Sequence, residues 1–79
     1  MRVMTASDLH TLFVTTLLRE VGGLPRHWRR AIGDIRCHSI ATHPHCNWSI
    51  HPAGSADMVD AIENLADRLR ARHPIITAD

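Results

Sequence analysis

The chain has 79 residues, a formal charge of +1 and ordinary globular shares of apolar (44%) and charged (22%) residues. A chain this short buries only about 60% of its unfolded surface, so a large active-site cavity would compete with the core, and no stretch approaches the roughly 20 apolar residues of a membrane span. These limits favour one small globular domain over residues 1–79 that is not an enzyme, and the charge lacks the basic excess expected of nucleic-acid-binding modules.

Thr5 to Ser7 offers helix caps, Asp8 complements the dipole in the first turn, and Gly22-Gly23 supplies a stop. Between them Leu9, Leu12, Phe13, Leu17 and Val21 recur at helical spacing. The patch Phe13-Val14-Thr15-Thr16 is β-prone, but the caps and the length decide for a helix. Leu24-Pro25 then opens a shorter helix with Pro in its first turn, closed by Gly33. Trp28 and Ile32 face inward there, which leaves Arg26, Arg29 and Arg30 for solvent or a ligand. All nine basic residues of the chain are Arg. Arg suits bidentate contacts and stacking, although the simultaneous lack of Lys, Gln and Tyr fits the codon bias of a GC-rich genome equally well.

From Ile35 to His51 the period changes to two. Cys46, Trp48 and Ile50 alternate with Asn47, Ser49 and His51, which predicts a strand with one apolar and one wet face. Ile35 to Ile40 would be its partner, joined through Ala41-Thr42-His43-Pro44 as an antiparallel hairpin lying on the helices. Pro52-Ala53-Gly54 breaks the strand and Ser55 caps the last helix. Met58, Ile62, Leu65 and Leu69 form its core stripe, backed by Val59 and Ala66. His73-Pro74 ends it, and Ile75 and Ile76 add an extended tail against the sheet. The expected architecture is α+β, ordered helix, short helix, hairpin, helix. Its core would comprise Leu12, Phe13, Leu17, Trp28, Ile32, Cys46, Trp48, Ile50, Met58, Ile62, Leu65 and Leu69.

Three constellations carry chemistry. Between Cys37 and His51 stand six potential metal ligands, Cys37, His38, His43, His45, Cys46 and His51. Two thiolates and two imidazoles would satisfy tetrahedral zinc, with Cys37, His43, His45 and Cys46 as the candidates. Cys37 and Cys46 lie nine positions apart and His43 and His45 only two, unlike the usual ligand pairs. Adjacent strand residues also do not converge. Free core thiols and surface or capping histidines are the expected state, with no metal and no other cofactor. A disulfide is not expected, because no basic start, apolar run and cleavage site marks the chain for secretion. Nucleophilic catalysis by either thiol would need an exposed, electropositive setting that the hairpin denies.

The second constellation is basic. Arg26, Arg29 and Arg30 around Trp28, with Arg36 beyond, have the mix used in phosphate and base recognition, and the glycine turn before them allows a helix-turn-helix comparison. Pairing of Trp28 with Ile32 toward the core argues that the aromatic is not free to stack. The third is acidic. At about 100° per residue, Asp57, Asp60, Glu63 and Asp67 fall in an arc opposed to the apolar stripe of the last helix. Acids early and Arg68, Arg70 and Arg72 late complement the helix dipole, and Asp67 can pair with Arg70. Glu63 and Asp67 are nevertheless like charges four apart, which suits an outward face that docks on a basic surface.

The stretch His43-Pro44-His45-Cys46-Asn47-Trp48, followed by Pro52-Ala53-Gly54-Ser55 and by His73-Pro74-Ile75, resembles small proteins of bacterial mobile elements, among them anti-CRISPR proteins that act on type I systems. The resemblance covers about the C-terminal half and carries no catalytic motif. It implies inhibition by binding, in the cytoplasm of a bacterial host: such proteins commonly occupy the nucleic-acid-binding surface of a surveillance complex and exclude target DNA. The expected function is therefore stoichiometric binding to a protein or ribonucleoprotein with a basic surface, through Asp57, Asp60, Glu63 and Asp67. The alternatives are an Arg-rich nucleic-acid-binding regulator and a small zinc-stabilised interaction domain.

Overall fold

The structure, a computed structural model, describes residues 3–79. Helix α1 spans Ala6–Glu20 and begins in a capping box: Thr5 Oγ1 accepts from the Asp8 amide at 3.1 Å, and the Asp8 carboxylate accepts from the Thr5 amide at 3.1 Å. Two orphan donors of the first turn are thereby satisfied. The β-prone patch is helical because its residues serve the core, with Phe13, Val14, Thr16 and Leu17 all buried. Thr15, facing out, returns its hydroxyl to Thr11 O at 2.8 Å. The chain then reverses through Gly22 (φ +97°) and Gly23 (φ +93°), a left-handed stretch that side chains disfavour. Helix α2, Pro25–Ile32, has Pro at its first turn and ends at Gly33 (φ +66°). It buries Trp28, Ala31 and Ile32, and the indole N–H of Trp28 donates to Gly22 O at 2.7 Å, so this aromatic ties the turn to the helix.

The hairpin is much shorter than its alternating pattern predicts. Strands β1 (Arg36–Cys37) and β2 (Trp48–Ser49) pair antiparallel with Cys37 opposite Trp48, and residues 38–47 connect them. Asn47, expected on the wet face, is instead only 2% exposed. The reason is its partner. The Asn47 side chain donates to Ile76 O at 2.7 Å and accepts from Ile76 N at 2.8 Å, while its backbone N–H donates to Pro74 O at 3.0 Å. The C-terminal segment thus lies beside β2 where a longer strand would continue. Cys46 and Ile50, placed in the core by the alternation, are half-buried and pack against it, as do Leu12 and Met58. Leu9, Val14, Ala31, Ala66 and Ile76 complete the buried set.

Helix α3, Ala56–Arg72, is capped by the Ser55 hydroxyl, which accepts from the Met58 amide at 3.2 Å. Ile62, Leu65, Ala66 and Leu69 are its buried face. All three helices contact one another, and the hairpin closes the layer through Trp48. That ring meets Phe13 edge-on at 5.8 Å, its N–H donates to His73 O at 2.8 Å, and the Arg70 guanidinium lies 5.0 Å above its centroid. The tail finally returns to the start of α1. Thr5 and Thr77 form a parallel bridge, Ala6 N donates to Thr77 O at 3.0 Å, and Asp79 accepts from both the amide and the hydroxyl of Ser7. No helix among the described residues is long and apolar enough to cross a membrane.

Candidate interaction surfaces

The acidic arc is built by the length of α3. With the apolar stripe fixed against α1 and α2, helical geometry turns Asp57, Asp60, Glu63 and Asp67 outward, and all four are exposed. Asp67 pairs with Arg70 at 3.2 Å, as the spacing suggests, yet its side chain remains 80% exposed. Asp57, Asp60 and Glu63 make no ion pair among the described residues, so their charge is directed to solvent. Beside the arc, Arg68 spends its charge on α1: its guanidinium grips the Glu20 carboxylate at 3.0 and 2.5 Å. This fork holds the Glu20 carboxyl below the usual glutamate range, through the hydrogen bond first and the guanidinium charge second. The same contact raises the affinity of Arg68 for its proton.

The basic candidates occupy a different side. Arg26, Arg29 and Arg30 are exposed on the face of α2 opposite Trp28, Ala31 and Ile32, and Arg36 is exposed on β1. Helix α2 contains no acid at all. Trp28 is only 4% exposed, so a base could not stack on it.

The candidate zinc ligands are drawn apart. Cys37 Sγ points to Ile76 O at 3.7 Å and to the Asn47 amide at 3.6 Å, whereas Cys46 Sγ points to Trp48 O at 3.6 Å. His43 stacks on His38 with centroids 4.3 Å apart, and its Nδ1 shares a hydrogen with Thr42 at 2.9 Å. His38 in turn bonds Ser49 Oγ at 2.9 Å, while His45 is exposed. Among the described residues no group of three or more His, Cys, Asp or Glu is placed to hold a metal ion. Cys37 also borders an open cleft of about 460 Å³ with His10, Asp34 and Asp79, but no histidine hydrogen-bonds the thiol.

One surface escaped the sequence reading. Between α2 and the start of α3 runs an apolar groove made of two adjoining hollows of about 280 and 260 Å³ that share His27 and Met58. Its walls come from the Val21–Leu24 turn and from Ala53-Gly54, segments that sequence treats only as breakers. Exposed Val21 next to the glycine stop was the available sign, since helical spacing had assigned it inward.

No protein-family model, curated protein or solved structure matches the chain.

Proposed function

We propose that the chain is a non-catalytic binding protein that docks the outer face of α3 on a basic surface of a protein or ribonucleoprotein complex. The nucleic-acid path of a type I CRISPR surveillance complex is the partner implied by the resemblance of the C-terminal half to anti-CRISPR proteins. The observation that carries the reading is the charge left over on α3. Asp57, Asp60 and Glu63 stand exposed without ion-pair partners among the described residues, on a face the core does not use. A complex that binds DNA must present Arg and Lys, and such complementarity governs encounter rate and specificity. The acids stand in for phosphates on that path.

Charge reversal separates binding from folding. The variant Asp60→Lys, Glu63→Lys, Asp67→Lys is expected to keep its circular dichroism while losing pull-down of the effector and its block of target DNA binding. Residual binding should weaken further as salt is raised. A variant that still blocks DNA as well as wild type would overturn the reading. Titration of a labelled duplex and single strand with wild type tests the Arg26, Arg29, Arg30 and Arg36 alternative directly, because even non-specific binders reach about 10⁻⁴ to 10⁻⁶ M.

A further inference from the structure

The groove between α2 and α3 has two unlike ends. At one end Arg30 stands over a hollow lined by Ala31, Ala53 and Gly54. At the other, Asp57 stands beside the Val21–Leu24 turn. His27 and Met58 lie at the middle, common to both. Among the described residues only four large apolar side chains are exposed, and two of them, Val21 (62%) and Leu24 (46%), lie at the acidic end. Among the described residues Arg30 and Asp57 make no ion pair, although each borders an apolar surface.

From this arrangement we propose that two copies of the chain pair across the groove about a two-fold axis that passes near Met58 at right angles to the groove. Such an axis exchanges the ends. Val21 and Leu24 of one copy then cover the Ala31, Ala53 and Gly54 hollow of the other, and Arg30 meets the partner's Asp57 on both sides of the axis. An isologous contact requires a patch that complements itself, and this one does so in apolar character and in charge: exposed Val21 and Leu24 face a small-residue hollow, and a cation faces an anion. Rims of opposite charge also exclude the head-to-head alternative, which would set Arg30 against Arg30. The pairing goes beyond the proposed docking of α3. It takes Asp57 from the docking face of α3 but leaves Asp60, Glu63 and Asp67 outside the groove, and so presents two acidic faces in one assembly.

Analytical ultracentrifugation of the full chain, without any partner, tests this. Wild type is expected to move from its 8.9 kDa monomer mass toward twice that value as concentration rises. Leu24→Asp alters an exposed residue and is expected to remain monomeric with unchanged circular dichroism. Arg30→Asp and Asp57→Arg should each weaken self-association at least about tenfold, because each places like charges at both rim contacts. Mixed in equal amounts, the two variants should associate again, since one copy then carries both acids and the other both bases. A wild type that stays monomeric to millimolar concentration overturns the proposal, and so does a Leu24→Asp chain that dimerises normally. Failure of the mixture to associate overturns the two-fold arrangement. A monomeric wild type that loses a pulled-down partner on Leu24→Asp would instead assign the groove to a foreign protein segment. None of these results depends on whether α3 docks on a CRISPR complex.

Discussion

The amide of Asn47 occupies the place of a neighbouring strand's backbone, giving one hydrogen bond to Ile76 and taking one from it. Asn47 is 2% and Ile76 1% exposed, so water cannot substitute there. Asn47→Ala would therefore leave the Ile76 N–H unmatched, at about 1–3 kcal/mol, and its carbonyl with only the weak thiol donor of Cys37. The expected loss is about 2–4 kcal/mol, measured as a lower midpoint in urea; an unchanged midpoint would show that the tail is held otherwise. The sequence does not announce this role, because the partner lies 29 residues away and alternation with Cys46 and Trp48 assigns Asn47 to solvent. Glu20 makes a contact of a different kind, exposed and long-range. Its carboxyl is held below the ordinary range by Arg68, so the bridge stabilises the fold above the usual glutamate pKa and fades as pH falls through the depressed one. Glu20→Gln should lower the melting temperature slightly at neutral pH. The difference from wild type should shrink toward zero in acid, and also in high salt, which screens exposed pairs.

At the scale of elements, legibility follows the range of the interactions that define each one. The ends of α1 and α3 are written in local chemistry: Thr5 with Asp8, Ser55 with the Met58 amide, glycines with positive φ after α1 and α2. Replacing Thr5 by Ala removes one half of the capping box and should cost about 1 kcal/mol, readable by thermal melts and by faster amide exchange in the first turn of α1. The acidic arc of α3 is equally local, since four positions and the helical period determine it once the stripe is buried. The hairpin is not local. Its two-residue strands end early because Asn47 turns both its side chain and its backbone N–H to the tail, contacts that no window of neighbouring residues contains, although the His38 N–H still donates to Asn47 O at 2.6 Å in the register of the hairpin. For the same reason the six potential ligands between Cys37 and His51 looked denser in sequence than they are in space, where backbone carbonyls and a ring stack claim them separately.

Across the whole molecule, charge is sorted by element: α2 carries only cations, the first half of α3 only anions, and the groove lies between them. That sorting was legible in the sequence, but the groove was not, because it depends on how the Val21–Leu24 turn and Ala53-Gly54 are set side by side. A further property of the fold is temporal. The bridge from Thr5 to Thr77 joins residues 72 positions apart, so the chain must close its largest loop before α1 and the tail reward one another. Folding speed falls as such distant pairings come to dominate. The clasp at Thr77 needs that closure, whereas the Asn47 contact with Ile76 closes a loop of only 29 residues. Joining the two ends through a short flexible linker, and opening the chain within the exposed segment 39–45, would convert this longest-range contact into a neighbouring one. Stopped-flow refolding of that permutant should be faster than that of the parent chain, with Trp48 fluorescence as the natural reporter because its indole is bonded to the residue that leads into the tail. Equal rates would mean that the clasp forms after the barrier. In either order, the last half-dozen residues bind the start of the first helix to the hairpin, two parts of the chain that lie far apart in sequence.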